Sequence, residues 1–384
     1  MATTKPMRIA VLATVTDFGG AERVVLSSID HANSTVCELV PILFTTHRLD
    51  DRTFFEHLDS GKKKYHTIFV DAHKIKYFNP FLNVLEAYQL LKKNEFDLIH
   101  SHCYRANVLG VILSRMTGLP VIATCHGSIS NDLYLTFYNK LERFVLRFAN
   151  KVIAVSQGIK KDLIESGVKE PRVVVIENAV AFQSAGEINA VQRRTSRTFC
   201  GATENDFVIG YIGRLSEEKG LRYLLEAVST NLGDRIPIKL LIVGEGPQRE
   251  ELESLAQKLG IRDNVVFAGF QSNVESWLAA MDLFVLPSLT EGTPMSLLEA
   301  MAKGVPVIAS AVGGVPQVID SDKNGMLVPS AKPLEIAKAV RFLYDNKDVR
   351  VDLAKKAQLT IRDKYDINVW IDKIETEYRK VLKK

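Results

Sequence analysis

The chain has 384 residues, enough for two domains with substantial cores, and its 46% hydrophobic and 24% charged residues are typical of a globular protein. Its net charge of +4 excludes the strong basic excess of nucleic-acid-binding proteins, but allows an anionic substrate or contact with an anionic membrane surface. Its four cysteines are far apart and none belongs to a CxxC motif, which excludes a disulfide scaffold and favours a reduced, cytoplasmic location.

The beginning of the chain predicts a strand and not a signal peptide. Its apolar run, residues 9–15, ends in a glycine-containing loop sequence without a small-residue cleavage pattern. No apolar run approaches the roughly 20 residues needed to span a bilayer, so any membrane contact is expected to be peripheral.

Short runs rich in Val, Ile and Leu alternate with longer amphipathic segments, which is the pattern of parallel strands joined by helices. Continuous apolar strands are typical of a sheet covered by helices on both faces. Twelve such runs are predicted to be strands: 8–13, 36–44, 67–70, 97–100, 121–124, 151–155, 173–176, 207–211, 239–243, 265–267, 282–286 and 307–309.

The two sets of strands are separated by residues 178–206, which have few apolar clusters and predict a linker leading into one helix. A C-terminal helix is predicted by apolar residues at a spacing of four, Trp370, Ile374, Tyr378 and Leu382. The expected fold is therefore α/β, with two doubly wound Rossmann-like domains facing a central cleft. Their predicted bounds are 1–185 and 186–367, and the helix at 368–384 is expected to pack back toward the first domain.

Residues 282–304 predict a strand, a loop and a helix that could bind a phosphorylated sugar. The helix is expected to begin with Thr293 as N-cap and Pro294 as its first residue, leaving backbone N–H groups available to a phosphate. Glu291 in the loop and Glu299 in the helix could each accept hydrogen bonds from hydroxyl groups. Alternatively, Ser296 and Glu299 form a capping box and the loop glutamate is merely solvated.

A second segment, residues 207–221, predicts a strand that ends at Gly213 and is followed by two cations. Arg214 and Lys219 would lie at the carboxyl end of this strand, where a diphosphate could bind. The alternative is that both are solvated charges paired with Glu217 and Glu218.

Two glycine-containing turns complete the set of candidate phosphate contacts. Gly19 and Gly20 follow the first strand and would let the backbone approach a phosphate closely. Neither this turn nor residues 244–249 has the GxGxxG spacing of a dinucleotide-binding fingerprint.

Taken together, these motifs resemble glycosyltransferase family 4, and the resemblance extends in order over nearly the whole chain. It rests on Gly19-Gly20-Ala21-Glu22, His126, Gly213-Arg214-Leu215 with Lys219-Gly220, Gly244-Glu245-Gly246-Pro247, and Glu291 with Glu299. The resemblance implies a GT-B fold and a retaining transfer. Two departures are Gln317, where relatives often have glutamate, and Asn178-Ala179, where Asn-Gly is commoner.

The resemblance also implies roles for individual residues. The implied catalytic residues are His126, Arg214, Lys219 and Glu291. The implied donor-binding residues are Gly19, Gly20, Arg214, Lys219, Gly244, Phe270, Glu291, Gly292, Thr293, Met295, Ser296, Leu297 and Glu299. His102 and Arg105 are expected on the acceptor side.

Within the family, retention is usually explained by front-face departure and attack, with the leaving phosphate accepting the acceptor's proton. This route requires no metal and no cofactor. Asp320-Ser321-Asp322 imitates a metal-binding DxD motif but is expected to be a solvated turn. The histidines and cysteines at 100–103 and 125–126 match no standard zinc spacing, and His100 is expected to be a packed residue.

One helix has two interpretations. Leu133, Phe137, Leu141, Val145 and Phe148 approximate a stripe that is expected to pack on the sheet, although it could instead be an interfacial membrane helix. Similarly, the lysines at 62–64 are expected to be a solvated loop or to meet anionic lipid.

The sequence thus predicts a metal-independent, retaining glycosyltransferase that uses a nucleotide diphosphate sugar, with UDP favoured over GDP. The expected acceptor is a glycan or a lipid-linked glycan at the cytoplasmic face of the membrane. The alternatives are a GT-B-fold sugar-nucleotide epimerase or phosphorylase, or a catalytically silent module that binds a glycan or activates a partner.

Overall fold

The computed structural model of the protein describes residues 5–15, 19–45, 52–69, 80–127, 133–182, 190–233 and 236–383. The chain divides into two compact units. The first unit comprises Met1–Asn178 with Ile367–Lys384, and the second comprises Ala179–Asp366. The sequence places the domain boundary after residue 185, which lies outside the described ranges.

The centre of the first unit is a parallel sheet, in which seven strands are described. These strands are β1 (Met7–Val15), β2 (Cys37–Thr45), β3 (His66–Phe69), β4 (Leu98–His102), β5 (Val121–Cys125), β6 (Lys151–Ala154) and β7 (Val173–Val175). They lie in the order β3-β2-β1-β4-β5-β6-β7. All residues of β4 and β5 are buried, as expected for strands between two layers of helices.

Helices follow the strands of the first unit, so that each crossover brings the chain back to the same edge of the sheet. They are α1 (Gly20–His31), α2 (Arg52–Ser60), α3 (Pro80–Lys93), α4 (Cys103–Thr117), α5 (Leu133–Leu146) and α6 (Gln157–Glu165). The Ser156 side chain caps α6 by accepting a hydrogen bond from the Ile159 N–H.

The second unit repeats this architecture around a parallel sheet with six described strands. These are β8 (Phe207–Ile212), β9 (Ile238–Val243), β10 (Val265–Gly269), β11 (Leu283–Leu286), β12 (Val307–Ser310) and β13 (Met326–Val328). Their order is β10-β9-β8-β11-β12-β13. The helices are α7 (Ala190–Phe199), α8 (Leu221–Gly233), α9 (Arg249–Lys258), α10 (Val274–Ala280), α11 (Met295–Ala302), α12 (Val315–Val318), α13 (Pro333–Asp345) and α14 (Lys347–Lys364).

The last helix, α15 (Ile367–Leu382), belongs to the first unit. Its apolar stripe is buried, with Trp370 4% and Tyr378 1% exposed. The Glu375 carboxylate, also buried, accepts hydrogen bonds from the Asn33 N–H and the Cys37 thiol near β2. These contacts fix the end of the chain on the first unit.

The strand predictions are accurate, since all twelve predicted strands form and their described ends differ by no more than two residues. The strand that was missed, β13, has only three residues, which is too short to produce a hydrophobic period. Within the described ranges, no helix combines the length and the apolarity that crossing a membrane requires.

The prediction for α5 is correct for Val145, which packs against the core of the first unit, and wrong for Phe137 and Phe148. Phe137 and Phe148 are 62% and 45% exposed, whereas Tyr138, Glu142 and Leu146 are buried. The helix is rotated because the Glu142 carboxylate points inward and accepts a 2.7 Å hydrogen bond from the amide of Asn107 on α4.

Candidate functional site

The second unit has its topological switch point between β8 and β11, because the chain leaves these neighbouring strands toward opposite ends of the sheet. In parallel sheets, such a point opens a crevice at the carboxyl ends of the strands, where ligands bind. The loop after β8 carries Lys219 and the loop after β11 carries Glu291. The Lys219 Nζ and Glu291 Oε1 atoms lie 2.7 Å apart, so an ion pair spans the switch point.

The Glu291 carboxylate is held in place by two donors. Its Oε1 atom accepts hydrogen bonds from the Lys219 ammonium and from the Ser288 hydroxyl, both at 2.7 Å. The Glu291 side chain is only 7% exposed, so it is not the solvated loop glutamate of the alternative interpretation. The attraction between the two charges is stronger in this partly dry setting than on the surface, although the desolvation of both groups offsets most of it.

The other alternative, in which Lys219 is paired with Glu217 and Glu218, is also wrong. Glu217 is exposed, and Glu218 is buried, where it accepts a 2.5 Å hydrogen bond from the Ser216 hydroxyl. Lys219 instead reaches across to the loop that follows the neighbouring strand.

Two glycines allow these loops to approach each other. Gly220 directly follows Lys219, has φ of +64°, and a Cβ atom there would lie 2.3 Å from the Pro287 carbonyl oxygen. At Gly313, after β12, φ is +54° and a Cβ atom would lie 1.8 Å from the Glu291 carbonyl oxygen. Both positions require glycine, so the local sequence determines where Lys219 and Glu291 are held.

The segment that carries Arg214 is fixed through its backbone. The buried Tyr211 hydroxyl donates a 2.9 Å hydrogen bond to the Arg214 carbonyl, and the Leu215 N–H donates to the Glu245 carbonyl at 2.9 Å. Burial, together with the charges of Glu291 and Glu218, raises the pKa of Tyr211 well above its ordinary value, so this hydroxyl keeps its proton. The side chain of Arg214 is exposed.

Helix α11 begins one residue later than predicted. Pro294 is the N-cap, with φ of −73° and an extended ψ of 121°, and Thr293 is a buried residue before it. The predicted N-cap at Thr293 is therefore wrong, because helical geometry starts only after the extended proline. Ser296 lies within the first turn, so it does not form the alternative capping box with Glu299.

The start of α11 has the features of an anion-binding helix terminus. A proline N-cap has no side chain that could accept a hydrogen bond from the first turn. Met295 and Leu297 are buried, 7% and 0% exposed, so their contribution to a ligand would come from backbone N–H groups. Glu299 is half-buried one turn further along the helix.

The remaining donor-side residues of the second unit lie at the same edge of the sheet. Gly244 directly follows β9, and Phe270, which is 43% exposed, directly follows β10. Gly292 lies in the loop between Glu291 and Thr293. The carboxyl ends of four adjacent strands therefore carry the predicted set.

The first unit has its own switch point, between β1 and β4. Gly19 is the N-cap of α1 and its N–H donates to the Glu22 carboxylate at 3.1 Å; Gly20 is the first residue of the helix. His102 ends β4 and is the N-cap of α4. His126 follows β5, the next strand of the sheet.

The buried His102 and the half-buried His126 form a pair. The His102 Nδ1 and His126 Nε2 atoms are 3.3 Å apart, within hydrogen-bonding distance. Burial lowers the pKa of His126 to about 4, and burial with the nearby His100 and His126 lowers the pKa of His102 well below its ordinary value. Both imidazoles are therefore neutral at physiological pH. The other ring nitrogens, His102 Nε2 and His126 Nδ1, are buried and have no hydrogen-bond partner in the described part of the chain.

His100 is the packed residue that the sequence predicts, since it is 1% exposed. Its Nδ1 atom lies 2.7 Å from the Tyr378 hydroxyl of α15, and its Nε2 atom lies 2.8 Å from the Thr124 hydroxyl of β5. Burial lowers its pKa to about 3. Arg105, in the first turn of α4, is half-buried with its guanidinium 5.4 Å from the ring of Tyr104.

Several residues of these sites were not singled out from the sequence for the contacts they make. Ser288 supports Glu291, Tyr378 supports His100, and Asn107 supports Glu142. A serine just after a strand only weakly indicates a site residue. The other two contacts join segments that are distant in the sequence, so no local pattern predicts them. Across the described ranges, the acidic residues, histidines and cysteines form no group of three or more placed to hold a metal ion.

Two family models match the chain, one in each half. The model described as Glycosyltransferase Family 4 matches residues 18–183, and the model described as Glycosyl transferases group 1 matches residues 192–360.

Curated relatives and solved structures agree with these matches. The chain is 29% identical over 295 residues to an uncharacterized glycosyltransferase of Methanocaldococcus jannaschii, covering 72% of this chain and 73% of the relative. It is 28% identical over 309 residues to UDP-Gal:alpha-D-GlcNAc-diphosphoundecaprenol alpha-1,3-galactosyltransferase of Escherichia coli, covering 77% and 78%. The fold is similar to that of HepE from Anabaena in complex with UDP-glucose, with a TM-score of 0.82, 24% identity, and coverage of 97% and 99%.

Proposed function

Because the chain belongs to the glycosyltransferases, with a family 4 domain followed by a group 1 domain, we propose that it transfers a hexose or N-acetylhexosamine from a UDP-sugar. The proposed transfer retains the anomeric configuration and requires no metal ion. A UDP-sugar is supported by the name of the Escherichia coli relative and by the UDP-glucose complex of the Anabaena protein.

The observation that carries this proposal is the Lys219–Glu291 ion pair at the switch point of the second unit. It puts a cation and a nearly buried carboxylate side by side. The cation can bind a diphosphate, and the carboxylate can accept hydrogen bonds from the hydroxyl groups of a sugar. We assign Glu291 to the hydroxyls of the transferred sugar and Glu299 to the ribose hydroxyls of the nucleotide.

Lys219 and Arg214 are proposed to stabilise the negative charge that develops on the diphosphate as it leaves. The backbone N–H groups of Met295, Ser296 and Leu297 add donors at the positive end of the helix dipole. Because the Lys219 ammonium and the helix N–H groups are held in place before the reaction begins, they stabilise the transition state with little reorganisation.

His126 is proposed as the catalytic residue of the first unit, in contact with the transferred sugar. Since its pKa is lowered to about 4, it acts as a neutral hydrogen-bonding group and adds no positive charge beside an oxocarbenium-like transition state. The attacking hydroxyl gives its proton to the leaving phosphate, on the same face, so no enzyme nucleophile is required.

The proposed acceptor is a glycan or a lipid-linked glycan in polysaccharide biosynthesis, with His102 and Arg105 on the acceptor side. Support comes from the Escherichia coli relative, whose name gives a diphosphoundecaprenol-linked sugar as its acceptor. With such an acceptor the enzyme would act at the cytoplasmic face of the membrane.

A thermal-shift screen of nucleotide sugars in EDTA, followed by NMR of the product, tests the proposal. A UDP-sugar at 100 times its Kd should stabilise the protein by about 2.7 kcal/mol. The product should keep the anomeric configuration of the donor. Stabilisation only with a divalent metal, an inverted product, or release of an epimerised sugar nucleotide would each contradict the proposal. Donor binding with no hydrolysis or transfer to any glycan acceptor would instead favour the silent module.

A further inference from the structure

Helix α5 of the first unit and the turn after it present an outward face that is unusually aromatic. Phe137, Phe144 and Phe148 are 62%, 54% and 45% exposed. Phe144 and Phe148 contact each other, with ring centroids 5.7 Å apart and an edge-to-face geometry. Lys140 and Arg147 lie on the same side of the helix and are exposed. We call these five residues the α5 face.

The charges of the α5 face all have one sign. The Arg147 guanidinium lies 5.5 Å from the centre of the Phe144 ring, and Arg115 from α4 lies 5.5 Å from that of Phe148. The carboxylate of this segment, Glu142, points inward and is bound by Asn107. The helix thus directs its carboxyl group to the interior, and Lys140 and the phenylalanines Phe137 and Phe144 to the surface.

The neighbouring helix α6 contributes a carboxylate beside this face, and it is already engaged. Asp162 lies 3.8 Å from Arg143, whose guanidinium also donates to the Asp162 carbonyl and the Ser166 hydroxyl. Lys140 and Arg147 therefore set the charge of the α5 face.

We propose that the α5 face is a docking surface for a bilayer containing anionic phospholipid. Aromatic side chains flanked by Lys and Arg on one side of a helix are suited to the boundary between headgroups and acyl chains. The phenylalanines would enter the apolar layer while Lys140 and Arg147 remain at the headgroup phosphates.

A second copy of the chain fits this face less well than a bilayer. A two-fold symmetric dimer would bring the α5 face against itself. Lys140 and Arg147 would then oppose the same residues of the other copy, with no carboxylate on the face to compensate for the repulsion. An anionic membrane supplies the opposite charge.

Co-sedimentation with vesicles tests the proposal on the full chain. Vesicles of phosphatidylglycerol and phosphatidylcholine should bind the protein at low salt, and vesicles of phosphatidylcholine alone should bind it weakly. The triple variant Phe137→Ser, Phe144→Ser, Phe148→Ser should lower the partition coefficient at least tenfold. Lys140→Glu should lower it by about fivefold or more, since one basic residue near an anionic surface contributes roughly that factor.

Matched controls separate the α5 face from general effects. Phe199→Ser removes a 77% exposed phenylalanine from the second unit, and Lys258→Glu makes the same charge change at an exposed position of helix α9. Both should bind vesicles within twofold of wild type. Far-UV circular dichroism and hydrolysis of a UDP-sugar establish that every variant is folded.

Three results would overturn the proposal. The first is no binding of the wild-type protein to phosphatidylglycerol vesicles at low salt. The second is equal vesicle binding by the wild-type protein and the folded triple variant. The third is a wild-type dimer in sedimentation velocity that the triple variant converts to monomer with unchanged vesicle binding, because the α5 face would then bind a second copy.

Discussion

The ion pair at the switch point predicts that Lys219→Ala weakens the binding of UDP and that Glu291→Gln does not. At 2.7 Å the attraction between the two charges is roughly 6 kcal/mol at an effective dielectric constant of about 20, and desolvation cancels most of it. Because Lys219 is 23% exposed, we expect Lys219→Ala to lower the free energy of unfolding by about 2 kcal/mol.

The two substitutions differ in what they leave for a diphosphate. Lys219→Ala removes one charge-assisted hydrogen bond to phosphate, of roughly 1.5–3 kcal/mol, so UDP affinity should fall about tenfold to a hundredfold. Glu291→Gln releases the Lys219 ammonium from its carboxylate, so UDP affinity should stay equal or rise. Both variants should lower kcat/KM for a UDP-sugar by about a hundredfold or more, for different reasons.

Isothermal titration with UDP in EDTA and initial rates of UDP release measure these effects. Lys303→Ala is the matched control, because Lys303 has a similar exposure of 28% and pairs with Glu275 at 3.0 Å outside the candidate site. It should bind UDP and turn over the donor within twofold of wild type. Wild-type UDP affinity in Lys219→Ala, or a tenfold loss of affinity in Glu291→Gln, would refute the assignment of Lys219 to the diphosphate.

Three further predictions concern the supports of the two sites. Gly313→Ala should lower kcat/KM for a UDP-sugar at least tenfold and weaken stability in urea unfolding, because its Cβ would displace the Glu291 backbone; unchanged kinetics would contradict the close approach. Tyr378→Phe should cost about 1–3 kcal/mol in urea unfolding, since His100 Nδ1 loses its partner, and a neutral effect would contradict that buried hydrogen bond. The lowered pKa values of His100 and His126, about 3 and 4, predict an acid-labile first unit. Between pH 6.5 and 4 the unfolded chain binds protons at these histidines and the folded chain does not, so each lowers stability by about 1.4 kcal/mol per pH unit as the pH falls. Urea unfolding at several pH values, with His100→Asn and His126→Asn for comparison, should show a shallower pH dependence in each variant.

The Glu142 carboxyl opposes this trend, since burial raises its pKa to about 7. Between pH 4.5 and 7 the folded chain keeps this proton and the unfolded chain loses it, so stability from this group decreases as the pH rises. The histidines therefore destabilise the protein as the pH falls, and Glu142 partly offsets that loss. Glu142→Gln removes the offset, so the loss of stability in acid should become steeper.

The strands and the loops of the candidate site could be predicted from the sequence because their signals are local. Continuous apolar runs mark the strands, and glycine, proline and charged residues mark the turns after them. Arg214, Lys219, Glu291, Thr293 and Glu299 of the second unit were found in this way, and the resemblance to glycosyltransferase family 4 implied the other donor residues. They all lie at one edge of the sheet, since parallel strands bring their carboxyl ends together.

Contacts between distant segments could not be predicted in the same way. Lys219 and Glu291 are 72 residues apart, and their pairing depends on β8 and β11 being neighbours. The local alternative, pairing with Glu217 or Glu218, was equally compatible with the sequence. Likewise, the rotation of α5 depends on a hydrogen bond between Glu142 and Asn107, 35 residues apart, and its hydrophobic pattern alone predicted a packed stripe that includes the exposed Phe137 and Phe148.

The start of α11 was mispredicted for a different reason. A proline after a threonine is compatible with the first helical position or with the cap, because its φ suits both. Only ψ distinguishes the two, and ψ of Pro294 is extended. As a result, the backbone N–H groups available to a ligand begin at Met295, the first residue of the helix.

The most direct test of the central claim is a crystal structure of the protein with a UDP-sugar in the presence of EDTA. We predict that the diphosphate lies within hydrogen-bonding distance of Lys219 Nζ, the Arg214 guanidinium and the first N–H groups of α11, with the sugar hydroxyls on Glu291. Phosphates bound at another edge of the sheet, or a donor that binds only when a metal ion bridges its phosphates, would contradict the account.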